Sequence, residues 1–317
     1  MKFSIILPCF NSKTTIKKAI FSVINQTFKD WELIIVDDGS TDGTFEDIAP
    51  IIGNYKSISY FKQNNSGPGI ARNNGMKIAK GKYICFLDSD DYWDLRFLDK
   101  INDALAETDS DLIFYDIVRE NENRKVIGYS KPSKFLKCRK DKLLYFQISG
   151  ILEWGMNKVV KKALIKQHDL KFSEDDVGEE ALFSVSLISN AKSYVFVKDA
   201  IYHYVNMKES QHKKGDLDPW FIIFQNMLAH LSKINLTTRI KEDAVNNLSM
   251  KSLAISVKRI CHELKYRDAK MMYLQQKLSY EKFSKPLKSL TKDLELKVKI
   301  VKILLKIHCF WLVYLLA

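Results

Sequence analysis

The chain has 317 residues, 46% hydrophobic and 28% charged, a globular composition with room for a core that needs no disulfide staple. The formal charge is +12, yet residues 251–306 alone carry 15 Lys and Arg against 5 Asp and Glu, so the excess is C-terminal and the N-terminal part is near neutral. Cysteines at 9, 85, 138, 261 and 309 are scattered and lack a C-x-x-C spacing, which fits a reducing compartment, and the apolar run of "MKFSIILPCFN" is too short for a secretory signal.

In chain order, "FSIILP" (3–8) reads as a short buried strand. Ile16, Ala19, Ile20, Val23, Ile24 and Phe28 then follow helical spacing, with Asn11, Ser12 or Thr14 available as caps. "ELIIVDD" (32–38) is a second apolar strand, completing a βαβ unit whose crossover is right-handed. A helix near 44–52, a strand near 57–62, a helix near 68–79 and a strand at 82–88 continue the pattern. Apolar rather than alternating strands predict an α/β fold with a mostly parallel sheet covered on both faces. A helix at 95–107 leads to "DLIFYDIV" (111–118), with a hairpin partner near 124–129. Residues 140–215 mix helices with a strand pair, "SYVFV" and "IYHYV"; 206–219 is the best linker candidate, and the chain from Trp220 onward reads as helical.

Two of the apolar strands end in acids. "IIVDDGSTDGT" carries Asp37, Asp38 and Asp42, and "ICFLDSDDYW" carries Asp88, Asp90 and Asp91. Ligands bind beyond the carboxyl ends of strands in an open parallel sheet, so adjacent strands would bring these acids to one crevice. Their repulsion is relieved by a shared proton or an added cation. Asp88 and Asp90, at i and i+2, suit Mg²⁺ or Mn²⁺ with positions open to phosphate oxygens. An isolated D-x-D is more often a solvated turn; its place at the tip of an apolar strand favours the ion. Between the two turns, "NNSGPGIARNNG" (64–75) puts Gly67 and Gly69 at a helix start that suits an anion, with Arg72 about a turn inside. It is neither a dinucleotide fingerprint nor a Walker A loop, and an ordinary capped helix start explains it equally well.

Taken together, "FSIILPCFN", "QTFKDWELIIVDDGSTDGT", "NNSGPGIARNNGMKIAKGKYICFLDSDDYW" and the later "VGEEALF" resemble glycosyltransferase family 2, inverting enzymes of the A-type, Rossmann-like nucleotide-binding fold. The match is dense over 3–93, thinner over 94–205 and unspecific after about 215. The resemblance implies a nucleotide-sugar donor, most often a UDP-sugar, with Mn²⁺ or Mg²⁺ on its diphosphate. Pro8 and Phe10 match positions that frame the nucleoside, Asp38 the acid that reads the base, and Arg72 a donor-side arginine. Asp88 and Asp90 match the D-x-D, Asp90 being the expected direct metal ligand, and Asp91 completes D-S-D-D. The divisions expected are 1–118 for the donor half, 119–215 for the acceptor-side half and 216–317 for a basic helical extension.

Inversion needs a base for the acceptor hydroxyl. In the family this is usually the Asp of a Glu-Asp pair at a helix start; here Glu180 stands in the Asp position and Glu179 in the Glu position. The extra methylene displaces the carboxylate by roughly a bond length, and a ~1 Å misplacement can cost ~100-fold. Asp175 and Asp176 are the alternative bases, and a plain role favouring the helix N-terminus is the alternative for both glutamates. Trp154 is a candidate acceptor-stacking residue, or a core tryptophan. Lys158 is within range of a diphosphate by the resemblance, although an exposed lysine is the default. His212 is a candidate further ligand, or a solvated loop histidine.

The segment 295–317 sets Lys297, Lys299, Lys302 and Lys306 among Ile, Val and Leu and adds Trp311 and Tyr314. The apolar run after Lys306 is eleven residues, short of the ~20 that span a bilayer, and the pattern fits an interfacial anchor on an anionic membrane; docking on the protein itself is the alternative. The expected setting is the cytoplasmic face of the cell membrane, with a glycan or lipid-linked acceptor and no nucleic acid. Three rival readings are weaker. A glycoside hydrolase would use paired carboxylates without nucleotide or metal. A basic nucleic-acid-binding protein would show an aromatic-interleaved basic motif, which is absent. A nucleotide-sugar pyrophosphorylase would carry a Gly-rich basic loop where "PCFNSK" stands.

Overall fold

All seven residues of β1 (Phe3–Cys9) and of β2 (Trp31–Asp37) are buried, as strands covered on both faces must be. The computed structural model describes residues 1–132, 139–149, 157–174, 178–206, 219–232, 234, 236–289, 296–307 and 309–316. In it β1 lies parallel to β2 on one side, Ile5 facing Leu33, and to β4 (Tyr83–Phe86) on the other, Ile5 facing Cys85. β3 (Ile58–Lys62) adds in parallel outside β2. The crossovers are α1 (Ile16–Ile24), α2 (Thr44–Asn54) and α3 (Pro68–Ile78). α1 buries Ile16, Ala19, Ile20, Val23 and Ile24, the face that its spacing predicts. α3 rides so close on β1 that a Cβ at Gly75 would stand 2.5 Å from Ile6 Cγ2, so only glycine fits there.

The sheet continues from β4 through β8 (Lys158–Lys161), β6 (Leu112–Asn121), β9 (Tyr194–Asn206) and β5 (Tyr92–Trp93). β8 is antiparallel to both β4 and β6, β9 is parallel to β6, and β5 is antiparallel to β9. β7 (Val126–Ser130) forms the expected hairpin with the far half of β6. α4 (Phe97–Glu107) follows β5, and α6 (Lys162–Gln167) and α7 (Glu179–Asn190) precede β9. The expected strand pair "SYVFV" and "IYHYV" is instead the single strand β9. Tyr115 faces Val197 and Asp116 faces Ile201, so residues 198–200 bulge out of register, with Asp199 at a φ of 62°.

The chain divides into two compact units, residues 1–138 with 154–210, which hold the sheet, and residues 139–153 with 211–317. The sheet runs unbroken through residue 118 along β6. The second unit is helical: α5 (Lys140–Ile148), α8 (Pro219–Leu231), α9 (Thr238–Glu263), α10 (Tyr266–Glu281), α11 (Leu296–Lys306) and α12 (Phe310–Leu316). α9 is its spine, burying residues all along its length, and its Asn247 Nδ2 donates to Tyr145 Oη of α5 at 2.7 Å. Among the described residues no helix is long and apolar enough to cross a membrane. Trp154, Asp175, Asp176, His212 and most of the expected linker lie outside the described residues.

Candidate active site

The turns after β1, β2 and β4 meet at one rim of the sheet, and hydrogen bonds lock them together. Ser12 is the fastener: its backbone N–H donates to Thr44 Oγ1 at 3.0 Å, and its hydroxyl meets that of Ser89, inside D-S-D-D, at 2.7 Å. The Asn11 N–H donates to Ser40 Oγ at 2.9 Å and the Lys13 N–H to Asp42 Oδ2 at 3.1 Å. Asp37 serves the same end, accepting from the Ser40 N–H at 2.7 Å and from Tyr60 Oη at 2.5 Å.

Asp38 is buried, and its carboxylate accepts from Gln63 Nε2, the Ser66 N–H and the Gly67 N–H, each at 2.8 Å. The anion seated at the start of α3 is therefore the chain's own Asp38, presented with an N–H that Gly67 turns toward it at a φ of 87°. A carboxylate has about four acceptor positions, so roughly one remains for a ligand. Pro8 sits in β1 opposite Val36, and Phe10 is half-buried at the turn that follows. An open polar hollow lined by Gly39, Ser40, Thr41, Gln63 and Asn64 adjoins these residues.

The three acids of D-S-D-D are not equivalent. Asp91 points inward, accepting from Tyr202 Oη at 2.5 Å and from the Val205 N–H at 2.8 Å. Burial first, then Asp90 and Asp88, pushes its carboxyl well above the usual range. These bonds tie the turn to β9. Asp88 is partly open, and its Oδ1 accepts from Arg72 Nη2 at 2.9 Å. Asp90 has no ion-pair partner among the described residues, and burial and then Asp88 raise its carboxyl to about 6. Two hard carboxylates with oxygens to spare fit a divalent ion. Among the described residues no group of three or more His, Cys, Asp or Glu is placed to hold a metal ion. Mg²⁺ and Mn²⁺ are ions that one or two carboxylates can hold when phosphate and water complete the shell.

Arg72 is the hub. It is buried, lies 5.3 Å from the Phe172 ring, and bonds Asp88 Oδ1 and Glu180 Oε1 at 2.9 Å each and Glu179 Oε1 at 3.4 Å. Burial opposes its charge, but Asp88, Glu180 and Glu179 outweigh that and hold the guanidinium protonated. The first turn of α3 comes close enough only because residue 69 is glycine: a Cβ there would meet the Ser173 carbonyl at 3.0 Å and Glu179 Cγ at 3.2 Å. Glu179 and Glu180 open α7 directly after Gly178, which caps it at a φ of 86°.

Glu180 stays partly open, and its carboxyl is raised to about 7. Burial is the main cause; Arg72 pulls back, Asp88 and Glu179 push further up, and Lys158 pulls back slightly. Lys158, expected to be exposed, is only 3% exposed on β8, with Nζ donating to Asn157 Oδ1 at 2.5 Å. Burial lowers its ammonium to about 7, with Glu180 opposing the drop. Lys158 and Glu180 line one narrow cavity with Phe86, Phe172 and Phe183. Lys158 thus shares its cavity with Glu180.

The profile described as Glycosyl transferase family 2 matches residues 4–168, more than half of the chain. The chain is 32% identical over 221 residues to poly(ribitol-phosphate) beta-N-acetylglucosaminyltransferase TarP of Staphylococcus aureus (strain N315), 67% of this chain and 65% of that protein. It is 29% identical over 224 residues to poly(ribitol-phosphate) beta-glucosyltransferase of Bacillus spizizenii, 67% of this chain but 33% of that one. The chain thus spans between a third and two thirds of the length of these curated relatives. The crystal structure of S. aureus TarS 1-349 in complex with UDP-GlcNAc superposes with a TM-score of 0.70 at 19% identity, covering 99% of this chain and 90% of that one. Mannosyltransferase PcManGT from Pyrobaculum calidifontis in complex with GDP-Man and Mn2+ superposes at 0.57 with 15% identity, over 98% and 87% of the two chains. These structures share the fold, the expected A-type α/β architecture. With the profile spanning β1 to β8, the acidic rim and Arg72, the chain belongs to glycosyl transferase family 2.

Proposed function

We propose that the chain is an inverting glycosyltransferase that moves a sugar from a nucleoside diphosphate, UDP by the relatives' chemistry, to a hydroxyl of a cell-surface glycan or lipid-linked polymer. The observation that carries this reading is the Arg72 guanidinium, which joins Asp88 on the donor side to Glu180 on the base side, each at 2.9 Å. A single nitrogen, Nη2, meets both carboxylates while Nη1 meets Glu179, so one guanidinium fixes the spacing between the group that meets the diphosphate and the group that meets the acceptor. The relatives support the substrate class: two act on poly(ribitol-phosphate), and TarS was crystallised with UDP-GlcNAc.

The chemistry follows from the geometry. Asp38 and the hollow beside it receive the base, and Pro8 and Phe10 flank the nucleoside. Asp90 and the remaining oxygen of Asp88 would hold Mg²⁺ or Mn²⁺, which when bound supplies a Lewis acid for the diphosphate. Glu180, ionised, takes the proton of the acceptor hydroxyl as its oxygen attacks the anomeric carbon. The bond from that carbon to the phosphate oxygen breaks, its electron pair leaves with the diphosphate, and configuration inverts. Arg72 lies beside the developing negative charge and holds Glu180 in line. A membrane-bound acceptor at the cytoplasmic face completes the reading.

Transfer from UDP-sugars to acceptor, followed by UDP release, tests it. Asp90→Ala is expected to lower turnover by ~10²–10³-fold, and EDTA to abolish activity that added Mn²⁺ restores. Full turnover by Asp90→Ala overturns the metal assignment. EDTA-resistant cleavage of a glycan without a nucleotide donor favours the hydrolase instead.

A further inference from the structure

The C-terminal helices α11 and α12 are apolar on two sides. Inward, Val298, Leu305, Phe310 and Val313 are buried; Phe310 stacks on Tyr273 at 4.9 Å, and Tyr314 Oη donates to the Leu264 carbonyl at 3.1 Å. Lys302 is buried too, its ammonium donating to the Ser289 carbonyl. The segment is therefore docked on its own unit. Outward, Leu296, Ile300, Ile303, Ile307, Trp311 and Leu315 are each between 43% and 72% exposed. Leu296, Ile300, Ile303 and Ile307 follow at steps of four, three and four along α11 and just past its end, and Trp311 and Leu315 stand four apart on α12. Single exposed apolar residues are ordinary, but four in register on one helix, with a pair on the next, form a face.

The charge around this face says what covers it. Lys297 and Lys306 are exposed, and neither α11 nor α12 contains an Asp or Glu. Residues 251–306 carry 15 basic against 5 acidic side chains. A second copy seated on the face would set like charges against one another. An anionic lipid surface satisfies both features, taking the apolar stripe into the acyl boundary and the lysines onto its phosphates, with Trp311 at the interface. We propose that the outer face of α11 and α12 docks in plane on an anionic bilayer. Inward docking and membrane contact, alternatives in the sequence, are thus the two sides of the same helices. This goes beyond the transfer reading and does not depend on it.

The test is co-sedimentation of the full chain with vesicles of phosphatidylcholine, alone or mixed with phosphatidylglycerol, at low and high salt, without donor. The wild type is expected to pellet with the anionic vesicles and to be released by salt. Replacing Ile303 and Ile307 with Ser should weaken binding at least ~10-fold. Replacing Lys297 and Lys306 with Gln should weaken it about fivefold per lysine on anionic vesicles only. Trp311→Phe should remove most of the blue shift in emission on vesicle addition. Failure of the wild type to pellet with either vesicle overturns the proposal. So does binding that falls with the lysine pair but not the isoleucine pair, which marks a soluble polyanion. A dimer by light scattering that Ile303→Ser with Ile307→Ser converts to monomer assigns the face to a second copy. Transfer activity is read separately, so neither reading's failure mimics the other's.

Discussion

The rim of the sheet and the outer face of the C-terminal helices break opposite rules. At the rim, charge is buried: Arg72, Glu179 and Lys158 are all nearly inaccessible and crowd around Asp88 and Glu180. On the helices, apolar surface is exposed: Leu296 and Leu315 are more than 70% open to solvent. A fold under selection for stability alone would exchange the two. The contrast teaches that neither arrangement is explained by stability, so each is tested by what it binds. At the rim pairs of residues are fixed by short bonds, and on the helix face apolar side chains stand largely open among the described residues.

The sharpest way to break the first half of the comparison is to remove the base. Glu180→Gln keeps the shape and the helix start, and transfer is expected to fall ~10²–10⁴-fold. The pH profile supplies the second check. Glu180 must be ionised to accept a proton, and burial raises its carboxyl to about 7, so kcat/KM should rise as pH passes through that value. The same shift has a stability cost with a fixed sign. A carboxyl raised above its ordinary value binds an extra proton in the folded state, so its contribution is lost as pH rises from the unfolded value toward 7. Glu180→Gln should therefore melt higher than the wild type at pH above 7, by differential scanning fluorimetry. A variant that is inactive but no more stable there would deny the carboxylate its buried charge.

Arg72→Met comes next. It leaves Asp88, Glu179 and Glu180 without their shared cation, and breaking a buried ionic network costs about 3–5 kcal/mol. Arg72→Lys keeps the charge but not the fork, so it should recover much of the stability and little of the transfer rate. Equal recovery of both would reduce Arg72 to a neutralising charge. Lys158→Met acts more gently: removing a positive group that pulls the Glu180 carboxyl down should move the rising limb of the kcat/KM profile to higher pH. A limb that stays in place would separate Lys158 from the base.

These residues also mark how far the sequence could be read. The apolar runs of β1, β2 and β4 and their acidic tips are local signals, and periodicity with turn chemistry reveals them. Glu180 was singled out through the family resemblance, which expects a carboxylate in the first turn of this helix. Lys158 was not: "NKVVK" gives no hint of burial, which comes from β8 slotting between β4 and β6, strands brought from elsewhere in the chain. Ser12 was legible only as a cap, because its partners Thr44 and Ser89 are 32 and 77 residues away. Three polar-edged residues at 198–200 looked like a turn between two strands, whereas the partner β6 holds one strand through the bulge. The grouping of residues 139–153 with the C-terminal helices rests on contacts such as Asn247 to Tyr145, 102 residues apart, which leave no trace in local pattern.

The smallest effect sharpens the second half of the comparison. If the stripe on α11 and α12 contributes nothing inside the fold, Ile303→Ser should change the denaturant midpoint by no more than ~0.5 kcal/mol, as substitutions on an exposed surface do. Val298→Ser, on the opposite side of the same helix, removes a buried side chain and places a hydroxyl among apolar neighbours, so it should cost several times more, about 2–4 kcal/mol. Because the chain has two compact units, the readout must report on the second, for which the emission of Trp311 against a Trp311→Phe control serves. Equal losses at 303 and 298 would mean that both sides of α11 pack within the protein. The apolar stripe would then be core, and the argument from its exposure would end.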